Sequence, residues 1–242
     1  MSVSNPFIAA VIPARAGSKR IVGKNIQPLG SLRLIEWTMR FAAESGMFKR
    51  VIVSTDDSMI EKLSDKWGLD VWIRSKATDD YATVSDVVLD VLENSDFDEA
   101  ITHMAVLLPT CPFRSVRDVR EILNEYAMQN WRGSMLSCAE PLGLQMGWAF
   151  ERDYSGRSIP VEPENWGKRS QDLANLYSPS GAFWIADKES LLRSRSYHGE
   201  LTNFYPVSFL SGFDIDSWDD LNFARLLVNG LGLSGEGLRE FV

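Results

Sequence analysis

Cysteine, histidine and long apolar runs are scarce in this sequence of 242 residues, which has two cysteines and two histidines. The two cysteines, Cys111 and Cys138, provide neither a disulfide framework nor the CxxC spacing of a zinc site. No apolar run approaches the roughly 18 residues of a membrane-spanning helix. The first residues, MSVSNPF, lack the positive start and the apolar stretch of a signal peptide. We therefore expect a soluble cytoplasmic protein with no membrane partner.

Positive charge is also in deficit, because 25 Lys and Arg face 33 Asp and Glu, which gives a formal net charge of −8. A negative net charge argues against bulk attraction to nucleic acid. The hydrophobic fraction of 45% is too high for a disordered chain, and the length is sufficient for one large core. We expect a single domain over residues 1–242 with no nucleic-acid partner.

Acidic residues are absent from the first 35 positions, although the rest of the chain is rich in them. The same stretch contains five basic residues: Arg15, Lys19, Arg20, Lys24 and Arg33. Salt screens exposed charges beyond about 8 Å, so a local basic cluster can attract an anion even in an acidic protein. The N-terminal region therefore predicts an anion-binding site.

Short apolar strands alternate with amphipathic helices along most of the chain. Predicted strands cover residues 7–13, 50–54, 71–73, 103–108 and 181–186. Predicted helices cover residues 34–45, 56–67, 85–93, 116–128, 187–193 and 217–229. This alternation is typical of an α/β fold, in which a mainly parallel twisted sheet carries helices on both faces.

The alternation breaks between residues 139 and 178, where proline and glycine are frequent. Such a stretch is typical of irregular connections rather than of another helix and strand. We expect residues 139–178 to form an inserted arm or lid.

The first predicted strand leads into the segment PARAGSKR at residues 13–20, and GKN at 23–25 closes the same loop. In α/β folds ligands bind at the carboxyl ends of strands, where small residues let backbone N–H groups approach phosphate oxygens. The loop is not a Walker A motif, because five residues separate Gly17 from Gly23 and Asn25 replaces the required Ser or Thr. No GxGxxG is present, which argues against a dinucleotide oxidoreductase. A phosphate site is favoured over a merely solvated basic loop.

Two acidic residues, Asp214 and Asp216, occupy alternate positions in the segment FDID just before the last predicted helix. In an extended chain alternate side chains point to the same face, roughly 6.5–7 Å apart along the backbone. Two such carboxylates can hold Mg²⁺ together with phosphate oxygens and water. The pattern alone leaves an alternative open, in which Asp216 caps the last helix and Asp214 is a surface acid.

Six segments occur together in one order along most of the chain: PARAGSKR…GKN, VSTDD (53–57), DDYATVSD (79–86), LLPTCPFR (107–114), KRSQDL (168–173) and FDIDSWDDL (213–221). In this combination the sequence resembles the acylneuraminate cytidylyltransferases from about residue 8 to 228. The resemblance implies a Rossmann-like nucleotidyltransferase that uses CTP to convert a nonulosonic (sialic-acid-like) sugar acid into a CMP-sugar. It also implies a homodimer and a requirement for Mg²⁺ or another divalent cation.

Position by position, the resemblance assigns nucleotide-binding roles in the first loop and beyond it. Arg15 and Lys24 would contact the phosphates, and both would be catalytic together with Asp216. Ser18 and Asn25 would bind the nucleotide from the same loop. Two further residues, Arg74 and Thr83, match nucleotide-site positions, although Arg74 is also compatible with a surface salt bridge and Thr83 with a helix cap.

The same resemblance makes Asp214 and Asp216 the metal ligands. It makes Arg169 and Gln171 sugar-binding residues on an arm that the partner of a dimer contributes, the alternative being an ordinary polar loop.

The sequence departs from the family pattern at several positions. Family members often read PARGGSKG and LQPTSPLR, whereas this chain has Ala16, Arg20, Leu108 and Cys111. Arg20 and the wording RSQDL are more similar to the branch that acts on pseudaminic-type bacterial sugars. Leu108 takes the place of a family glutamine that contacts the substrates.

Three other functions stay open at this stage. The first is a cytidylyltransferase for 3-deoxy-manno-octulosonate, an eight-carbon keto acid. The second is a non-catalytic nucleotide-binding module, and the third is a structural protein that dimerises through the 139–178 arm.

Overall fold

The structure is a computed structural model that describes residues 6–74, 82–94, 100–141 and 145–232. Its strands are β1 Ile8–Ala14, β2 Pro28–Leu29, β3 Leu32–Arg33, β4 Arg50–Thr55, β5 Asp70–Ile73, β6 His103–Val106, β7 Ser134–Ala139, β8 Phe150–Arg152, β9 Ser158–Pro160, β10 Ser178–Asp187 and β11 Thr202–Pro206. Its α-helices are α1 Leu34–Glu44, α2 Ser58–Lys66, α3 Val84–Asn94, α4 Val116–Met128, α5 Lys188–Ser194, α6 Phe209–Gly212 and α7 Trp218–Gly230.

A seven-stranded sheet in the order β11-β7-β10-β6-β1-β4-β5 forms the centre of the molecule. The pairs β1–β4, β1–β6, β4–β5 and β7–β11 are parallel. Strand β10 runs antiparallel to both of its neighbours, β6 and β7. The predicted mainly parallel sheet is thus confirmed, with one reversed strand inside it.

Helices cover both faces of this sheet, because the central strands are apolar on both sides. In β1 the side chains of Ile8, Ala10 and Ile12 pack in one cluster with residues of α1, α2 and α4. The intervening Ala9 and Val11 pack on the other face with α3 and α5. Strands buried on both faces are apolar without interruption, which is why the run at 7–13 predicted a strand.

Most predicted elements match observed ones within three residues at each end. Two strands of the seven-stranded sheet, β7 and β11, were not predicted, and neither were the short strands β2, β3, β8 and β9 outside it. Strand β7 has the sequence SMLSCA and is buried throughout, but its serines interrupt the apolar pattern. Ser137 satisfies its hydroxyl internally, donating to the Ser180 carbonyl at 3.0 Å. Strand β11 lies at the edge of the sheet, where its residues are half-buried or exposed.

Residues 139–178, hereafter the arm segment, connect the antiparallel neighbours β7 and β10. The described part of the arm segment contains a small hairpin, β8–β9, and 3₁₀ turns at Met146–Trp148, Pro163–Asn165 and Ser170–Asp172. Several large apolar side chains are exposed there: Met146, Trp148, Phe150, Ile159, Val161 and Trp166. The function of the segment as an arm or lid stays a prediction. Among the helices that the structure describes, none is long and apolar enough to cross a membrane.

Candidate active site

The loop of residues 15–25, hereafter the cation loop, follows the carboxyl end of β1. Ile21 anchors its middle, with a side chain that is completely buried. The backbone then turns at Gly23, which adopts a left-handed φ of 59°, and Lys24 N–H donates to the Ile21 carbonyl at 3.1 Å. The Asn25 amide closes the loop by donating to the Arg15 carbonyl at 3.2 Å. These bonds hold a short stretch with four basic residues in one shape.

Apolar packing brings the cation loop to a segment nearly 200 positions away in the sequence. Ile21 and Ile215 belong to the same buried cluster, which also contains Leu29, Trp37 and Phe113. Ile215 is the residue between the two candidate metal ligands, so its burial places both aspartates beside the loop. Its backbone N–H also donates to the Thr110 carbonyl at 2.9 Å.

Direct polar contacts join the two segments. The Lys24 ammonium lies 3.1 Å from Asp216 Oδ1 and donates to the Ile215 carbonyl at 3.0 Å. The Arg20 guanidinium contacts the same Asp216 Oδ1 at 3.0 Å. The basic loop and the acidic pair therefore lie on the same side of the molecule.

A cavity of about 500 Å³ opens next to this junction, and the six predicted nucleotide-binding residues line it. Its wall consists of Pro13, Arg15, Gly17, Ser18, Lys19, Arg20, Lys24, Asn25, Arg74, Ala82, Thr83, Val84, Val87, Leu108, Pro109 and Thr110. Among these described residues of the wall, five side chains are basic and none is acidic. Such a cavity is suited to a ligand with several negative charges.

Arg74 is buried in the wall of the cavity, which contradicts the surface position that the salt-bridge alternative requires. Its guanidinium donates to the Ser54 hydroxyl at 3.0 Å and to the Ser54 carbonyl at 2.9 Å. Burial lowers the pKa of Arg74, and the nearby charge of Arg15 lowers that pKa further, while Asp56 opposes both effects. The guanidinium groups of Arg15 and Arg74 thus repel each other within the cavity that both line.

Thr83 caps a helix and also lines the cavity. Its hydroxyl accepts a hydrogen bond from the Asp86 N–H at 3.1 Å and donates to the Asp86 carboxylate at 2.7 Å. This is the reciprocal pattern of a helix N-terminus, and α3 begins at the next residue. The cap explains the local position of Thr83, and the side chain remains part of the cavity wall.

The helix-cap alternative for Asp216 is wrong, because Ser217 caps α7 and forms a capping box with Asp220. The Asp216 carboxylate is therefore left to Lys24 and Arg20. Asp214, two residues before it, is exposed as a residue, yet its pKa lies above the ordinary value, chiefly because protein atoms around the carboxylate displace water. A hydrogen bond with Thr110 lowers that pKa, whereas the negative charge of Asp216 raises it. Neither aspartate is among the described residues that line the cavity, but Asp216 contacts two that do, Lys24 and Arg20. Two carboxylates that repel each other next to a basic cavity are a chemically suitable pair for a cation.

A divalent metal fits these residues only with help from a ligand. Within the described residues, no group of three or more His, Cys, Asp or Glu side chains is positioned to hold a metal ion. Mg²⁺ accepts such a site, since it is commonly held by one or two carboxylates together with substrate phosphates and water. The donor set of Asp214 and Asp216 is thus consistent with a magnesium ion that shares its coordination with a nucleotide.

Arg169 and Gln171 are not among the residues that line the cavity in this chain. Both are exposed, on or next to the 3₁₀ turn at Ser170–Asp172 of the arm segment. Arg169 forms an ion pair with Asp172, 2.8 Å between Nε and Oδ2. Their assignment to a sugar site formed by two chains stays a prediction.

The structure also assigns a position to Arg114, for which the sequence suggested no role. Arg114 is completely buried and donates to the Leu108 carbonyl at 2.5 Å, the Ala182 carbonyl at 2.7 Å and the Thr38 hydroxyl at 2.7 Å. It thereby ties the loop that carries Leu108 to β10 and α1. Burial lowers the pKa of Arg114 to about 10. No sequence pattern distinguishes such an arginine from an exposed one.

Cys111 lies in the same loop and is completely buried. Burial raises the pKa of its thiol far above the ordinary value, and the negative charge of Asp214 acts in the same direction. A thiol with this pKa stays protonated and is a poor nucleophile. The buried side chain therefore serves in packing.

Comparisons with known proteins show the family to which the chain belongs. The family model described as Cytidylyltransferase matches residues 9–147. The CMP-N,N'-diacetyllegionaminic acid synthase of Legionella pneumophila is 30% identical over 87% of this chain and 91% of its own length. The pseudaminic acid cytidylyltransferase of Campylobacter jejuni is 30% identical over 90% of this chain and 94% of its own length. The N-acylneuraminate cytidylyltransferase of Streptococcus agalactiae is 32% identical over 87% of this chain, which spans 50% of that longer protein.

A solved structure shares the fold at low sequence identity. The CMP:2-keto-3-deoxy-manno-octonic acid synthetase, determined in complex with CTP, superimposes with a TM-score of 0.69 at 16% identity. The superposition covers 93% of this chain and 99% of that one.

Proposed function

The chain belongs to the cytidylyltransferase family, and on that premise we propose that it transfers CMP from CTP to the C2 hydroxyl of a nonulosonic acid. The observation that carries the proposal is the junction of the basic cavity with Asp216, made by Lys24. A triphosphate needs several cations and a carboxylate-bound metal in one place, and this junction provides both kinds of group.

In the proposed reaction the C2 hydroxyl oxygen attacks the α-phosphorus of CTP. The new bond joins this oxygen to phosphorus, and the bond from the α-phosphorus to the bridging oxygen breaks. Pyrophosphate leaves with the electron pair, and the hydroxyl proton is released. Such transfers require positioning and charge stabilisation more than covalent chemistry from the protein.

The residues of the cavity divide these tasks by their position. Arg15 and Lys24 would bind the phosphates and offset the charge that develops there. Ser18 and Asn25 would hold the nucleotide from the same loop, and Arg74 and Thr83 would hold it from outside that loop. Burial makes Arg74 a fixed positive charge that costs little reorganisation when the ligand binds.

Asp214 and Asp216 would hold Mg²⁺, or another divalent cation, with the triphosphate completing the coordination. When bound, the metal would organise the phosphates and lower the pKa of the attacking hydroxyl.

The sugar acid would bind where two chains meet. Arg169 and Gln171 lie outside the cavity of their own chain, so we propose that they act in the site of a partner within a homodimer. The exposed apolar side chains of the arm segment, including Trp148 and Trp166, support an interface there. The bacterial sugar acids named for the relatives define the substrate class: legionaminic, pseudaminic and N-acylneuraminic acids.

Pyrophosphate release tests the proposal directly. The protein is incubated with CTP, Mg²⁺ and one acid at a time from a panel of legionaminic, pseudaminic, N-acetylneuraminic and 3-deoxy-manno-octulosonic acids. Release with one of the nine-carbon acids is the expected result. Release only with the eight-carbon acid would show that 3-deoxy-manno-octulosonic acid is the substrate instead. CTP binding without release would indicate a nucleotide-binding module, and the absence of CTP binding would contradict the proposal altogether.

A further inference from the structure

Two basic side chains share a single carboxylate oxygen at the rim of the cavity. Arg20 Nη2 and Lys24 Nζ both contact Asp216 Oδ1, at 3.0 and 3.1 Å. Asp216 is one of the two residues to which we assign the metal. The side chains that hold it in this conformation therefore occupy a position that a divalent cation would need.

The two contacts differ in how firmly they are made. The Lys24 side chain is only 13% exposed and also donates to the Ile215 carbonyl, so its position is fixed by its surroundings. The Arg20 side chain is 66% exposed. An exposed ion pair contributes little net stability, so the arginine can be displaced from Asp216 at small cost.

Charge balance indicates when that displacement occurs. Asp214 and Asp216 together carry two negative charges, which Arg20 and Lys24 neutralise. Arg20 and Lys24 would repel a divalent cation that arrived alone. A divalent cation that arrived with a triphosphate would instead bring phosphate oxygens, which the two basic groups can bind. Arg20 already lines the cavity assigned to the phosphates, so its guanidinium has a second partner within reach when CTP is bound.

We propose that Arg20 is a positioning residue that guards Asp216 against free divalent cations and turns to the triphosphate when CTP binds. The inference rests on the proposed function, specifically on Asp216 as a metal ligand. The consequence is that the metal and the nucleotide bind cooperatively. A bound nucleotide draws Arg20 away from Asp216, and a bound metal releases Arg20 for the phosphates. The typical family sequence PARGGSKG has glycine at position 20, so this role belongs to the branch that has arginine there.

The experiment measures two affinities of the Arg20→Gln variant, each without the other ligand. Mn²⁺ serves as the metal probe, and its free concentration is followed by electron paramagnetic resonance in the absence of nucleotide. CTP binding is measured by calorimetry in EDTA. We expect Mn²⁺ to bind the Arg20→Gln variant about two- to fivefold more tightly than it binds the unmodified protein, because the exposed ion pair between Arg20 and Asp216 no longer competes with the metal. We expect CTP to bind about tenfold more weakly, because a charged hydrogen bond is lost.

Opposite signs distinguish this role from a structural one, since a damaged cavity would weaken both affinities. Arg20→Lys should remain close to the unmodified protein in Mn²⁺ affinity. The matched control is Arg225→Gln, which removes the same charge from α7, where Arg225 bonds the neutral oxygens of Pro28, Asn222 and Gln27. That control should leave both affinities unchanged.

The Asp216→Asn variant separates failure of this inference from failure of the proposed function. If Asp216→Asn loses Mn²⁺ binding while Arg20→Gln leaves it unchanged or weakens it, the metal site stands and the role of Arg20 is wrong. If Asp216→Asn binds Mn²⁺ like the unmodified protein, Asp216 is not a ligand, and both ideas are overturned. Loss of CTP affinity equal in Arg20→Gln and Arg225→Gln would also overturn the inference.

Discussion

Side chains around the cavity are held by partners of very different kinds. Arg74 is fixed by Ser54, Lys24 by a carbonyl and a carboxylate, and Thr83 by the start of α3. Groups that are fixed before a ligand arrives stabilise developing charge without paying for reorganisation. Substitutions at this scale should therefore affect catalysis far more than folding.

Arg15→Ala is expected to lower kcat for pyrophosphate release at least tenfold with the fold intact. A hydrogen bond to a charged group contributes about 1.5–3 kcal/mol, which corresponds to roughly 10- to 150-fold in rate. Steady-state kinetics and thermal melting measure the two properties separately. The control is Arg40→Ala on α1, where Arg40 pairs with Glu44 outside the cavity. An unmodified rate in Arg15→Ala would remove that residue from the mechanism.

Asp216→Ala should likewise reduce kcat at least tenfold, for a different reason. The substitution removes a candidate metal ligand and the carboxylate partner of Lys24. Added Mg²⁺ at high concentration should recover part of the activity if the loss is one of metal affinity. Asp219→Ala, an exposed acid in the first turn of α7, is the control and should retain its rate. Full activity in Asp216→Ala would eliminate it as a ligand.

Asp214→Asn is expected to stabilise the folded protein at pH 7 while it abolishes activity. The pKa of Asp214 is raised in the folded protein, so the native state binds more protons than the unfolded state in the window just above the ordinary value of 3.8. Stability contributed at this site therefore falls as the pH rises through that window. The asparagine avoids this cost and can still accept the Thr110 hydrogen bond. Tm should exceed that of the unmodified protein at pH 7, and the difference should shrink toward pH 4; a lower Tm at pH 7 would contradict the prediction.

Individual site residues differed in how far the sequence could predict them. The cation loop was predictable, because the first 35 residues contain five basic residues and no acid, which is unusual in a chain with net charge −8. Arg114 could not be predicted, since its neutral partners come from three separate parts of the chain. The contact of Arg20 with Asp216 was equally hidden, because it depends on packing between Ile21 and Ile215.

At the scale of elements, the loop from β6 to α4 depends on a buried charge. Arg114 links this loop to β10 and α1 through hydrogen bonds to the Ala182 carbonyl and the Thr38 hydroxyl. Its guanidinium carbon also lies 5.6 Å from the centroid of the Phe41 ring. The loop carries Leu108 and Thr110 to the cavity wall. The conformation of this loop is thus fixed by the buried contacts of Arg114 rather than by the cavity wall.

Arg114→Met should destabilise the protein by about 3 kcal/mol or more, because buried oxygens that it bonds are left without their donors. For a chain of this size each kcal/mol corresponds to a Tm decrease of about 2–4 °C. Urea denaturation at equilibrium measures the loss. Arg117→Gln, in the exposed first turn of α4, serves as the control and should unfold at the same urea concentration. An unchanged midpoint for Arg114→Met would show that the loop is held by other contacts.

Secondary structure was predictable where one physical signal dominated. Strands β1, β4 and β6 are buried on both faces, so they stand out as apolar runs. Strand β7 is equally buried but contains serines, and the hydroxyl of Ser137 is satisfied by β10, a partner that only the fold reveals. Strand β11 is a half-exposed edge strand, whose pattern resembles that of a loop. The reversed direction of β10 had no local signal either.

At the scale of the whole molecule, the arm segment leaves a group of apolar side chains without cover in the single chain. Trp148, Phe150, Ile159 and Trp166 are all at least 39% exposed. Contiguous exposed apolar surface on a folded protein is typical of an interface. The homodimer predicted from the family resemblance is consistent with such a surface.

Light scattering should give about twice the chain mass of 27.2 kDa. Trp166→Asp should shift the protein toward the monomer and raise KM for the sugar acid, because the partner would no longer position Arg169 and Gln171. CTP affinity should change little, since Arg15, Lys24 and Arg74 lie in the cavity of one chain. Phe7→Asp, an exposed apolar residue just before β1, is a control that should remain dimeric. A monomeric mass for the unmodified protein would contradict the dimer and the shared sugar site together.

The link between Lys24 and Asp216 spans 192 positions of sequence. During synthesis on the ribosome, the basic loop therefore emerges long before the carboxylate that will neutralise it. A nascent chain that has completed α4 carries these basic residues without Asp216. Every strand of the central sheet ends by Pro206, so a chain interrupted between β11 and Asp214 would keep all seven strands and still lack both carboxylates that we propose as metal ligands.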